Sequence, residues 1–223
     1  MKIFQKQIWH LILLIILLFI LDVFVEKYPG VMEGELWNIS TQTWFSIAII
    51  TPILHQIYVL LCWRAELHYQ YLSKKLGKKA FTCFKTGFII LFLSRFISLT
   101  LLAISNKNTI EVRNSMKIFI LLLISATLIY TLHSVMKHFG FNKAFGLDHF
   151  DKSISKIPFV KRGIYKYTNN AMYRFAFLAV YLPGIIFESK ASLLVAIFSH
   201  FYIWIHYYFT ELPDMKIIYG KTP

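Results

Sequence analysis

Long apolar runs, such as those from Ile8 to Val25 and from Ile118 to Tyr130, leave this chain very few ways to fold. A helix rises about 1.5 Å per residue and needs roughly 20 apolar residues to cross the hydrocarbon of a bilayer. Inside that hydrocarbon every backbone N–H and C=O must be bonded within the protein, so the choice lies between helices and a closed barrel. The alternating pattern of a barrel is absent. The sequence therefore predicts an all-α, polytopic transmembrane helix bundle of about six spans, near residues 8–25, 44–63, 86–105, 116–136, 171–187 and 191–209. Composition agrees, because 57% of the 223 residues are hydrophobic, against about 45–50% in a soluble domain. Lys2 and Lys6 precede the first run as in a signal peptide, but no small-x-small cleavage site follows it, and it reads as the first span.

Charge sets the expected orientation. Lys and Arg number 24 against 11 Asp and Glu, a net charge of +13. They cluster in the segments between apolar runs, where they face lipid headgroups, so no nucleic-acid partner is expected. Segment 64–85 carries Arg64, Lys74, Lys75, Lys78, Lys79 and Lys85. Segment 137–170 carries Lys137, Lys143, Lys152, Lys156, Lys161, Arg162 and Lys166, whereas 26–43 has only Lys27 among three glutamates. The positive-inside rule then places both basic segments and both termini of this multi-pass protein in the cytosol, for a bacterial inner membrane or the endoplasmic reticulum alike.

No Pro/Gly/Ser linker divides the chain, so 1–223 reads as a single integral membrane domain, with scaffold spans in 1–136 and the working part in 137–223. Pro183-Gly184 should kink or shorten the fifth span, and the short link after it makes the last two helices a tight hairpin. His55, Arg95, His133, His200 and His206 interrupt the apolar runs, and intramembrane ionisable groups are functional candidates by default. His200 and His206 lack the i, i+4 spacing of two metal-binding imidazoles, so no metal site is expected. Cys62 and Cys83 read as unpaired thiols.

Residues 162–174, 210–220 and the loop Phe145-Gly146-Leu147-Asp148-His149 all fall at the expected inner ends of spans. Together they would gather glycines, asparagines, tyrosines, an arginine and carboxylates at one membrane face. Glycines admit close backbone approach. Glu211 and Asp214 suit an ammonium or ribose hydroxyls, and Arg174 suits a carboxylate. That set fits a zwitterionic ligand bearing a nucleoside.

The stretch Gly163-Ile164-Tyr165-Lys166-Tyr167, then Asn170-Ala171-Met172-Tyr173, followed by Thr210-Glu211, Pro213-Asp214-Met215 and Ile218-Tyr219-Gly220, resembles the membrane-embedded methyltransferases. The likeness is to the phosphatidylethanolamine N-methyltransferases and, more distantly, the isoprenylcysteine carboxyl methyltransferases, and it covers roughly residues 138–220. Ala171 stands where that family has Pro, Thr210 replaces the first residue of an acidic pair, and Gly146 is the nearest counterpart of a glycine-x-glycine element. The resemblance implies S-adenosylmethionine as methyl donor and a membrane lipid as acceptor, with the phosphatidylethanolamine amine favoured. It implies donor contacts from Gly146, Gly163, Tyr165, Tyr167, Asn170, Tyr173, Arg174, Glu211 and Asp214. Glu211, Asp148 and His149 are the expected catalytic groups, with Asp148, His149 or His200 taking the acceptor's proton. Two rival readings remain: a nicotinamide-dependent reductase of a sterol-like lipid, and a non-enzymatic transporter or assembly protein with a polar path of His and Arg.

Overall fold

The computed structural model describes residues 2–220. After a 3₁₀ turn at Lys2–Phe4, α1 (Gln7–Lys27) leads to a two-stranded hairpin of β1 (Glu35–Leu36) and β2 (Ile39–Ser40). The strands are antiparallel, with Glu35 opposite Ser40. Then come α2 (Thr41–Tyr69), the short α3 (Tyr71–Leu76), α4 (Ala80–Ser105) and α5 (Asn114–Ser134), the last prolonged by a π-helical turn at Val135–Phe139. A loop region of α6 (Phe141–Ala144) and 3₁₀ turns at Leu147–His149, Lys152–Lys156 and Gly163–Lys166 follows. The chain continues through α7 (Ala171–Arg174), a 3₁₀ stretch at Ala176–Tyr181, α8 (Leu182–Ile186) and α9 (Lys190–His206). A second π-helical turn, Tyr207–Glu211, joins α9 to α10 (Leu212–Tyr219).

Among the described residues, five helical stretches are long and apolar enough to cross a membrane: Gln7–Lys27, Thr41–Tyr69, Tyr71–Ser105, Asn114–Phe139 and Lys190–Tyr219. The stretch expected as a fifth span, 171–187, is instead a shorter apolar segment, Ala171–Ile186, broken into α7, a 3₁₀ stretch and α8. Pro183 sits in the first turn of α8, where its missing N–H leaves no bond unmade. Gly184 then lets α8 press against α9, since a Cβ there would lie 2.6 Å from Leu193 Cδ2.

Helix α9 is the central element, packed against α1, α2, α4 and α8. Its buried face carries Ala191, Ser192, Val195, Ala196 and Ser199. Small side chains at such positions let helices approach closely where no hydrophobic effect drives them together. Leu99, Leu102 and Ala103 of α4 and Ala48 of α2 complete this core, all fully buried. Helix α1 buries only His10 and Leu21 and turns most of its side chains outward.

One end of the bundle is tied by a buried asparagine. Asn106 Oδ1 accepts from Ser189 Oγ (3.0 Å), the Ala191 N–H (3.0 Å) and Thr109 Oγ1 (3.0 Å), while Nδ2 donates to the Glu33 carbonyl at 2.7 Å. This joins the links after α1, α4 and α8. Replacing Asn106 by Ala leaves buried donors without an acceptor, and each such group costs about 1–3 kcal/mol. We expect Asn106→Ala to lose about 3 kcal/mol and to melt several degrees lower in detergent, with Asn106→Asp losing less; equal melting of Asn106→Ala and the parent protein contradicts this role.

Candidate active site

At the other end of the bundle, the sequence forces a local irregularity. Pro213 has no N–H to offer to the preceding turn, so carbonyls at the end of α9 are left over. The Tyr207–Glu211 turn widens to π geometry, and the Phe209 carbonyl accepts from Gln7 Nε2 (2.8 Å) and Arg64 Nη2 (3.0 Å). Arg64 Nη1 donates to the carbonyls of Ile3 (2.9 Å) and Gln5 (2.7 Å). Its Nε donates to Asp214 Oδ1 at 3.1 Å and lies 3.3 Å from Oδ2. Arg64 and Asp214 are each about 1% exposed. A buried charge pair is tolerable only when the remaining donors are also satisfied, as they are here.

Asp214 carries the network on to the loop after α6. Gly146 turns this loop at φ +82°, and a Cβ there would lie 2.5 Å from the Trp63 indole, so only glycine lets the chain cross that ring. His149 then stacks on Trp63, with ring centroids 4.3 Å apart and planes 17° from parallel. Its Nδ1 donates to Asp148 Oδ1 at 3.0 Å, and its Nε2 faces Asp214 Oδ2 at 3.7 Å, an ion-pair distance too long for a hydrogen bond. Tyr219 donates to Asp148 Oδ2 at 3.0 Å. Burial alone would discharge His149, but the hydrogen bond to Asp148 and the two facing carboxylates outweigh it and raise its pKa to about 9. Burial pushes the Asp148 carboxyl up, and His149, Tyr219 and Lys143 together bring it below its usual value. His149 is therefore an imidazolium at neutral pH.

Beside this network lies a cavity of about 590 Å³, within the roughly 300–1,000 Å³ of small-molecule sites. Trp63, Gly146, Asp148, His149, Tyr165, Asn169, Asn170, Tyr173 and Glu211 line its polar end. Tyr173 donates a short hydrogen bond to Glu211 Oε2. The Ile164 N–H donates to Ser134 Oγ at 3.1 Å, pinning the Gly163–Lys166 turn to α5, and Tyr165 stacks on Phe139 at 4.8 Å. Burial and the nearby Glu211 raise the Tyr165 hydroxyl, which stays a proton donor. The rest of the wall is apolar: Phe88, Phe92 and Phe96 of α4, Leu128 and Leu132 of α5, and Phe177, Leu182, Pro183, Ile186 and Phe187.

Ten buried side-chain nitrogen or oxygen atoms have no hydrogen-bond partner among the described residues, and nine of them belong to residues lining this cavity. Buried polar groups are normally bonded, so their concentration on one wall marks a ligand site. Of the residues expected from the sequence, Gly146, Asp148, His149, Tyr165, Asn170, Tyr173 and Glu211 meet on this wall. Gly163 does not line it but faces Ser134 and His138, and Tyr167 is 72% exposed. Arg174 is exposed, and Asp214 is engaged by Arg64 behind the wall. His200 pairs instead with the Tyr181 hydroxyl at 3.2 Å. The sequence gives no site signal for Trp63 or Asn169, and it marks Arg64 and Lys143 only as loop charges. The one available signal for Arg64 was an arginine directly following the apolar run of α2.

Residues 116–222, just under half of the chain, match the phospholipid methyltransferase family. No curated protein matches the chain, and no solved structure does. The long apolar helices define an integral membrane protein, and its cavity has both polar and apolar walls. Its C-terminal half is similar to the phospholipid methyltransferase family, and the matched stretch contains the Gly163–Tyr173 and Thr210–Gly220 blocks. This favours a methyltransferase over the reductase and transporter readings.

The raised pKa of His149 makes a signed prediction. The folded protein binds this proton more tightly than the unfolded chain, so the contribution is complete below the unfolded pKa of 6.5 and lost as pH rises through about 9. That window is worth roughly 3 kcal/mol. Melting temperature in detergent should fall between about pH 6.5 and pH 9, and the His149→Gln protein should lack this step. An identical pH profile for the two proteins contradicts the clamp.

Proposed function

We propose that the protein transfers a methyl group from S-adenosylmethionine to the amine headgroup of phosphatidylethanolamine or its methylated forms. The observation that carries this reading is the single cavity with two characters, polar where the family-matched blocks meet and apolar between α4, α5 and α8. Helix α5 makes its close contacts with the Gly163–Ile186 segment rather than with α4. The apolar chamber therefore lies along a seam between two helices, where acyl chains can enter from the bilayer. The end bearing both basic segments and both termini is assigned to the cytosol, on the side from which a water-soluble donor arrives.

S-adenosylmethionine, when bound, supplies a methyl group on a sulfonium. The polar end suits it in charge and shape. Gly146 lets the loop backbone pass directly against the Trp63 ring, and the unpartnered Tyr165 hydroxyl belongs to the cavity wall. Glu211, fixed by Tyr173, would hold the ammonium or ribose hydroxyls through Oε1, with Tyr165, Asn169 and Asn170 adding neutral contacts. As the acceptor nitrogen forms its new N–C bond, the S–C bond breaks and sulfur keeps the electron pair. The reaction gains mainly from alignment of the two partners. An ammonium acceptor must first give up a proton; of the two carboxylates on the cavity wall, Asp148 is engaged by His149 and Tyr219, and Glu211 is assigned to take it. His149 already holds a proton at neutral pH, so with Asp148 it is assigned to orienting the loop and setting the local charge.

Membranes containing the protein should move label from S-adenosylmethionine into extracted lipid. Removing a charge-assisted contact costs about 1.5–3 kcal/mol, so Glu211→Gln should weaken donor binding roughly 10- to 100-fold. Absence of both labelled lipid and measurable donor binding would remove this reading.

A further inference from the structure

Deep in the cavity lies a second polar group that donor binding does not explain. Helix α4 runs inward from Lys85, which donates to Asn142 in the loop region at 3.2 Å. Arg95 lies ten residues further along, roughly 15 Å deeper at 1.5 Å per residue. Its side chain is 2% exposed and lines the cavity. Among the described residues it makes no ion pair, and its Nε has no hydrogen-bond partner. Its guanidinium carbon lies 5.5 Å from the centroid of the Phe177 ring. A cation over a ring recovers only part of what burying a charge away from a counter-ion costs.

Two histidines share this region of the wall. Both ring nitrogens of His55 and both of His206 are buried without partners, at 2% and 1% exposure, and both residues line the same cavity. His55 is held edge-on against Phe88 at 4.5 Å, and His206 against His10 at 5.9 Å. Arg95 and His55 precede residue 116, outside the family-matched stretch. One guanidinium and two imidazoles share the apolar part of the cavity wall, and among the described residues no carboxylate lies within ion-pair distance of Arg95.

We infer that Arg95, His55 and His206 form an anion subsite in the apolar chamber, and that it takes the phosphodiester of the acceptor lipid. This inference rests on the methyltransferase reading for its placement relative to Glu211. A phosphodiester brings the missing negative charge and several acceptor oxygens, and its acyl chains match the surrounding phenylalanines. Arginine pairs with such a group through two parallel N–H bonds, and each imidazole adds one donor. The subsite would thereby select phosphate-bearing amines over other long-chain amines.

The test compares two acceptors, a short-chain phosphatidylethanolamine and a long-chain primary alkylamine without phosphate. The ratio of kcat/KM for the phospholipid over the amine should fall at least about tenfold in Arg95→Gln, fall less in Arg95→Lys, and fall in His55→Gln. KM for S-adenosylmethionine reports on the donor site separately. An unchanged ratio, whether both activities drop together or neither drops, overturns the subsite. Should Arg95→Gln not fold, the Arg95→Lys and His55→Gln ratios decide. If the parent protein methylates neither compound, the methyltransferase reading fails and binding alone judges the subsite. Tryptophan fluorescence titration should then show phosphatidylethanolamine binding at least about tenfold tighter than diacylglycerol of the same chains. That preference should vanish in Arg95→Gln and shrink in Arg95→Lys; a preference fully retained in both, or never present, overturns the inference.

Discussion

The arrangement of the site depends on one buried side chain. Arg64 sits at the end of α2 with every donor direction occupied, by the Ile3 and Gln5 carbonyls, by the Phe209 and Thr210 carbonyls, and by Asp214. An arginine buried in this way is costly unless each N–H finds an acceptor, and here those acceptors come from two distant parts of the chain, residues 3–5 and 209–214. The guanidinium thus fastens the N-terminal segment and the π turn before α10 to the same helix. Asp214, held by Arg64, faces His149, and His149 with Asp148 fixes the loop that closes over Trp63. The polar end of the cavity is the product of this chain of charges.

The two ends of the bundle solve the same problem differently. Asn106 satisfies neutral backbone and hydroxyl groups and carries no charge. The Arg64 end uses alternating positive and negative groups, which resist rearrangement and hold a shaped pocket open beside them. The neutral end is compact and the charged end is cut by the cavity, as expected if the first serves stability and the second serves binding.

Much of this was legible in the sequence, and the reasons for the exceptions are physical. Hydrophobic runs reported the long helices because burial in lipid demands an apolar surface whatever the packing. The segment 171–187 looked like another span because its composition is apolar, but Pro183 and the close approach allowed by Gly184 break it into short helices. The ordered blocks 163–173 and 210–220 located one wall, bringing Tyr165, Asn170, Tyr173 and Glu211 together. The other wall was readable only in part. His55 and Arg95 stand out as ionisable groups within apolar runs, but Trp63 does not, and which face of such a helix turns inward is set by tertiary packing. Asp214 looked like a ligand group because nothing in the sequence links it to an arginine 150 positions away. The first 136 residues, expected to be scaffold, therefore supply a substantial part of the cavity through α2 and α4.

The central claim is that this cavity methylates a membrane lipid, and lipid mass spectrometry tests it most directly. Lipid extracts from cells with the gene should contain phosphatidylethanolamine species heavier by one, two or three methyl increments, and cells carrying an inactive Gly146→Val form should not. Lipid profiles that are the same with and without the gene contradict the account.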